Sequence, residues 1–272
     1  MSVSPVSLGL VNATNARDLG GLPVADGRRV KPRQLYRSNA LNRLSDDDVV
    51  ALGELGLACL IDFRSDREVA VVGVDRLPEK PPSQVLAFPL SGPEDDVLTK
   101  VTEAAAGRGG HEILDQLRAD HPSGGAPAAM CELYRWFVSA PEGRQAFGSA
   151  LRLAASPDGV PMLFHCAAGK DRTGWFAALL LAALGADRET IVADYLRTNE
   201  LNADTNAYIL GRAAARMPDS SVLAPLLDAR REYLEAAFDE VDSGWGSFDA
   251  YLRDGLDLDE ATLAALRSLH LV

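Results

Sequence analysis

The run His165-Cys166-Ala167-Ala168-Gly169-Lys170-Asp171-Arg172-Thr173-Gly174 constrains this chain more than any other part of its 272 residues. Before it lies Val160-Pro161-Met162-Leu163-Phe164, a short apolar run that reads as a buried strand. After it, Trp175 to Leu184 is rich in helix formers and closed by Gly185. The decapeptide therefore spans the turn from a strand's C-terminal end into a helix N-terminus, where α/β sheets place ligands.

Each residue type there has a physical job. A tight loop aims successive backbone N–H groups inward as an anion nest. Gly169 permits the curvature, because glycine turns freely to positive φ. The helix N-terminus adds partial positive charge. Arg172 offers a planar fork for two phosphate oxygens, and Lys170 a second cation. Residues 167–172, namely Ala167, Ala168, Gly169, Lys170, Asp171 and Arg172, are thus expected to cradle a phosphoryl dianion. Cations and a helix N-terminus also favour the thiolate, the nucleophilic form of a cysteine such as Cys166. His165 is expected to brace the loop, and Thr173 to offer its hydroxyl to the sulfur. A lone cysteine at a strand end is ordinarily an inert buried thiol. The surrounding glycines, arginine and threonine, at fixed spacing, outweigh that plainer reading.

The decapeptide resembles the signature loop of the cysteine-dependent protein tyrosine phosphatases, and its Gly-Lys-Asp-Arg-Thr-Gly form resembles the bacterial PtpB-like group. Asn15 to Gly21, Leu35-Tyr36-Arg37-Ser38 and Ile61-Asp62-Phe63-Arg64-Ser65 are similar to that group's N-terminal signatures. Ile191 to Asn199 and Gly246 to Arg253 are similar to its C-terminal half. The resemblance implies a phosphomonoester hydrolase with Cys166, Asp171 and Arg172 as catalytic residues. It also implies phosphorylated protein or phosphoinositide substrates, and a helical pair covering the site. An inactive phosphate-binding module and a sulfur-transfer enzyme are the competing readings; the intact Cys166, Asp171 and Arg172 argue against the first, and His165 with Thr173-Gly174 against the second.

Thiolate attack needs a proton donor for the leaving oxygen. In most tyrosine phosphatases it is an Asp on a separate loop. In the bacterial group an Asp tends to follow Phe-Pro directly, but after Phe88-Pro89 this chain has Leu90, with Asp95 and Asp96 further on. The resemblance points instead to Asp171 inside the loop. Its plainer role is to hold Arg172 or Lys170 by charge pairing. Asp62 and Arg64 read as structural supports and Cys59 as a core thiol, with a redox partnership to Cys166 as the sharper alternative.

Alternating strands and helices predict an α/β fold: a central, mostly parallel sheet flanked by helices. Strands are expected at Leu57–Ile61 and Val85–Phe88, and a helix beginning at Ser45, whose Ser-Asp-Asp-Asp start caps a first turn. Further helices are expected at Leu133–Val138, Gln145–Ala155, Ala203–Met217, Val222–Val241 and Glu260–Leu269. Residues 102–127, rich in glycine, read as an insertion around a short helix at Glu112–Leu117. The whole of 1–272 reads as one domain, with a helical appendage or lid within about 199–240.

Net charge of −12 disfavours nucleic-acid binding. The basic cluster of Arg28, Arg29, Lys31, Arg33 and Arg37 around Asp26-Gly27 reads as a solvated turn, with acidic lipid headgroups as the sharper alternative. Three cysteines and four scattered histidines offer neither a disulfide framework nor a metal centre, so no cofactor is expected. No apolar stretch suits a membrane helix and the first residues lack a secretory pattern, so a cytoplasmic location is expected.

Overall fold

A computed structural model of the protein describes residues 6–90, 119, 125–214 and 223–272. Among the described residues five short strands form one sheet: β1 (Arg17–Asp18), β2 (Leu35–Ser38), β3 (Cys59–Asp62), β4 (Gln84–Ala87) and β5 (Met162–His165). Their spatial order is β1-β2-β5-β3-β4. Only β1 runs antiparallel to its neighbour; the other pairings are parallel. β5 is the last of the described strands but sits in the middle of the sheet. His165 at its end pairs with Ser38 on one side and Asp62 on the other, so three strand ends meet along one edge.

The strands alternate faces at period two, and the two faces are unequal. Leu35, Cys59, Ile61, Met162 and Phe164 enter the larger core. Tyr36, Leu60 and Leu163 enter a smaller one with Leu41, Leu44 and Leu52. The smaller face is covered by α1 (Asp46–Glu54), where Ser45 and Asp48 close a capping box as the Ser-Asp-Asp-Asp start predicts. A second helix, α2 (Asp66–Val72), follows β3 and was not expected; Ser65 and Glu68 cap it in the same way.

The larger face carries α3 (Gly125–Ser139), α4 (Pro141–Ala154), α5 (Asp171–Ala183) and α6 (Arg188–Leu201). α5 leaves the signature loop and buries nearly every side chain, which explains why its sequence is apolar all round. Then come α7 (Ala203–Ala214), α8 (Ala224–Leu227), α9 (Arg231–Trp245), α10 (Phe248–Ala250), a π-turn at Tyr251–Gly255 and α11 (Glu260–His270). α9 packs along α3.

The expected continuous helix Val222–Val241 is broken. Arg230 is extended, and Asn199 fixes Ala229 from both sides, accepting its N–H at 2.7 Å and donating to its carbonyl at 2.8 Å. A side chain that supplies both bonds replaces the helical ladder there. The helix expected at Glu112–Leu117 lies outside the described residues. Arg37 leaves the basic cluster altogether: it is fully buried, whereas Arg28 pairs with Asp26 at the surface. Residues 28–33 precede β2, so they lie at the sheet end away from the signature loop. Cys59 sits opposite Met162, four residues short of Cys166. At about 3.3 Å per residue that is roughly 13 Å, well beyond disulfide reach. Burial lifts its thiol to about 11, as befits an inert core cysteine.

Candidate active site

The signature loop is held by its carbonyls. Ala40 N–H donates to Ala167 O at 3.1 Å. Asn15 and Asn202 both donate to Ala168 O at 3.0 Å. Asn15 and Arg37 both donate to Gly169 O at 2.9 Å. In a trans peptide the N–H points opposite to its carbonyl. Tying three successive carbonyls outward therefore turns the N–H groups of Ala168, Gly169 and Lys170 the other way, toward the cavity that Cys166, Ala167, Ala168, Lys170, Asp171 and Arg172 line. Gly169 has φ +66°, and a Cβ there would lie 2.4 Å from Ser38 O. Only glycine fits both conditions.

Arg37 owes its position to a buried ionic cluster. Asp194 on α6 accepts from Arg17 Nε at 2.8 Å through one oxygen and from Arg37 Nη1 through the other. All three side chains are essentially inaccessible. Burial works against the Asp194 carboxylate, but the two guanidinium groups outweigh it and hold its pKa below the ordinary value. Burial and Arg37 together bring Arg17 down to about 10, against the pull of Asp194. Two cations on one anion leave a net positive charge just behind the anion nest.

Arg172, in the first turn of α5, is clamped by Glu68 of α2. Nη1 donates to Glu68 Oε2 and, at 3.0 Å, to Phe63 O; Nη2 donates to Glu68 Oε1 at 2.7 Å. Burial opposes the charge, but Glu68 outweighs it and raises the arginine further. A guanidinium has five N–H bonds, of which these contacts use three. The Nε–H, which has no hydrogen-bond partner among the described residues, and the second Nη2–H remain. They lie parallel on one edge, the fork that grips two oxygens of a phosphate.

His165 ends β5 and is fully buried. Its Nδ1 lies 3.3 Å from Cys166 O, and its Nε2 meets Asp75 Oδ2 at 3.0 Å as an ion pair rather than a well-aligned hydrogen bond. Burial disfavours the imidazolium, but Asp75 and then Asp62 overcome this and raise its pKa. Arg64 joins the same group, 2.7 Å from Asp62 and 2.9 Å from Asp75. Asp62, Asp75 and His165 bring potential metal-ligand atoms within 4.8 Å of one another. Arg64 already supplies the positive charge there, so the donors do not suit a cation. Asp62 and Arg64 thus join Asp75 and His165 in one ionic group at the end of β3 and β5.

Two expectations are corrected. Lys170 does not present its ammonium to the cradle: Nζ donates to Leu226 O at 2.6 Å and Asp228 O at 3.2 Å, and lies 3.5 Å from Asp171 Oδ1. The first two are hydrogen bonds and the third is an ion pair. Thr173 Oγ1 is buried without a hydrogen-bond partner among the described residues, so it does not bond the sulfur. Asp171 pairs with Lys170 rather than Arg172, and also accepts from Tyr134 Oη at 3.0 Å. Asp95 and Asp96 lie outside the described residues.

The cavity is also lined by Thr205, Asn206, Tyr208 and Ile209 of α7 and by Leu226 and Leu227 of α8. Asn39, Asn42 and Arg43 belong to the same lining. Sequence reasoning found the loop itself but missed Glu68, Asp75, Asp194 and Tyr134. A Ser65-to-Glu68 capping-box spacing was the one local signal for Glu68.

The tyrosine phosphatase family model matches residues 8–272. A Cupriavidus necator protein assigned as a tyrosine-protein phosphatase is 40% identical over 92% of this chain and 84% of its own length. The triple specificity protein phosphatase PtpB of Mycobacterium tuberculosis is 34% identical over 96% of this chain and 97% of its own. A tyrosine-protein phosphatase of Nostoc commune is 34% identical over 64% of this chain and 51% of its own.

Proposed function

This chain belongs to the tyrosine phosphatase family and hydrolyses phosphomonoesters, and we propose that Cys166, Arg172 and Asp171 carry that reaction. The Cys166 thiolate attacks phosphorus in line and forms a cysteinyl-phosphate. The inward N–H groups of the loop and the open edge of Arg172 hold the equatorial oxygens as charge builds on them. Asp171 protonates the leaving oxygen. Water then attacks the cysteinyl-phosphate, and the same carboxylate accepts its proton. Glu68 fixes the fork, and His165 with Asp75 fixes the loop's entry. The observation that carries this reading is the outward tethering of three loop carbonyls beside an arginine edge left open. No step needs a metal or cofactor.

The substrate reaches the cradle beneath α7 and α8, which we read as a lid on a single catalytic domain. Tyr208, Ile209, Leu226 and Leu227 offer apolar contact for a phosphorylated tyrosine ring, while Arg43 and Thr205 add polar groups to the same lining. That mixed rim supports acceptance of phosphoserine, phosphothreonine and phosphoinositides beside phosphotyrosine, in keeping with the breadth named for the mycobacterial relative. Among the described residues no helix is long and apolar enough to cross a membrane, so a phosphoinositide would be met at a bilayer surface.

Asp171→Asn is the test of the acid. It should slow phosphotyrosine hydrolysis by about a hundredfold or more, in line with general-acid contributions. The loss should shrink for p-nitrophenyl phosphate, whose leaving oxygen needs no proton. Equal losses on both substrates would show that Asp171 only positions its neighbours and that the acid lies elsewhere.

A further inference from the structure

The Asp171 side chain is gripped from outside the signature loop. Tyr134, on α3, donates to Asp171 Oδ1 at 3.0 Å. Tyr134 Oη in turn lies 2.7 Å from Tyr195 Oη, on α6. Both tyrosines are buried, Tyr134 fully and Tyr195 to 1% exposure. Tyr195 is fixed by its packing: a Cβ at Gly174 would come within 2.9 Å of its ring, so the glycine that ends the signature makes room for it. Tyr134 is wedged against Phe137, Tyr195 and Tyr233.

A tyrosine has one proton to give. Tyr134 spends it on the carboxylate, so Tyr195 must donate to Tyr134. The bonds therefore run one way, from Tyr195 to Tyr134 to Asp171 Oδ1, and each strengthens the next. Burial first, and then Asp171 itself, pushes both phenols well above their ordinary range, so both remain donors at any working pH. Lys170 approaches the same Oδ1 at 3.5 Å. Asp171 Oδ2 makes no hydrogen bond among the described residues.

We propose that Tyr134, backed by Tyr195, is a positioning residue that reserves Oδ1 as an acceptor and so fixes the catalytic proton on Oδ2, the oxygen left open to the substrate. The inference rests on Asp171 being the proton donor. It adds that the donor's working oxygen is chosen from outside the loop. Without Tyr134 the carboxyl rotates about its last bond, and the proton divides between two oxygens, only one of which reaches the leaving group. A misplaced catalytic group costs rate without weakening binding.

Tyr134→Phe keeps the ring and removes only the donor. Expected is a fall in kcat of about tenfold on phenyl phosphate, with KM nearly unchanged and the rate on p-nitrophenyl phosphate within about twofold. Tyr195→Phe should shift the same ratio in the same direction but less, since it only weakens the bond that Tyr134 still makes. In the Asp171→Asn background, Tyr134→Phe should add no further leaving-group dependence. Melting temperature and circular dichroism establish that each variant is folded. If Asp171→Asn shows the leaving-group dependence and folded Tyr134→Phe does not, or Tyr134→Phe slows both substrates equally, the positioning role is wrong. If Asp171→Asn itself shows no such dependence, the acid assignment fails first, and this inference fails with it.

Discussion

Replacing Cys166 by serine is expected to lower hydrolysis of any phosphomonoester by at least about 10⁴-fold, the scale on which removing a catalytic nucleophile acts in other hydrolases. An alcohol at this position has no base poised to ionise it. His165 is already engaged with Asp75 and with Cys166 O, and Asp171 enters this step protonated, as the acid for the leaving oxygen. The cradle, however, does not depend on the sulfur. Asn15, Asn202, Arg37 and Ala40 still tie the loop carbonyls outward, and Glu68 still presents the open edge of Arg172. The variant should therefore bind inorganic phosphate within a few-fold of the wild-type affinity, measured by titration calorimetry. Loss of activity together with loss of phosphate binding would mean that Cys166 is needed for the shape of the loop rather than for the chemistry.

The second large effect is on stability. Asp194→Asn leaves Arg17 and Arg37 buried side by side with no counter-charge. Breaking a buried pair by removing one partner costs about 3–5 kcal/mol. For a chain of this size, at about 2–4 °C per kcal/mol, the melting temperature should fall by roughly 10 °C. The cluster also gives stability a particular pH dependence. The folded pKa of Asp194 is depressed, so its contribution is present above the ordinary carboxylate value of 3.8 and is lost as pH falls through the folded value. That portion of acid sensitivity should be missing from the variant. Melting within about 2 °C of wild type at neutral pH would show that the two arginines are solvated in another way, and that Asp194 does not hold Arg37 on the Gly169 carbonyl.

Much of the site was legible because its chemistry is local. Strand, tight loop and helix N-terminus follow one another within residues 160–184, and the proposed catalytic residues Cys166, Asp171 and Arg172 all lie in that run. The alternating strands and the Ser45 cap were legible for the same reason. What could not be read is what arrives from afar. Asn15 was visible only as part of a segment resembling a family, Arg37 there and in the basic cluster, and Asn202 lay in no such segment. Their task, holding three carbonyls outward, exists only once β2, β5 and α6 come together. Glu68 looks like a helix cap and serves as one, while also clamping an arginine 104 residues away. Tyr134 looks like a core aromatic at helical spacing. Lys170 misled because a lysine in such a loop suggests an anion contact, whereas the chain returning at Leu226 and Asp228 captures its ammonium. The break at Ala229 was hidden because it is imposed by Asn199 rather than by a local helix breaker.

The central claim is that phosphorus passes through the sulfur of Cys166. Rapid mixing of the enzyme with phenyl phosphate, followed by acid quenching and intact-mass analysis, tests it most directly. One phosphoryl group should be found on the chain in the first turnover, and peptide mapping should place it on Cys166. In Cys166→Ser it should be absent on the same time scale. Asp171→Asn should accumulate it more slowly, because formation of the intermediate is the step that needs the acid. Normal turnover of the wild type, with rapid quenching finding no phosphoryl group on Cys166 at any time and a trapped product instead on another residue, would contradict the account.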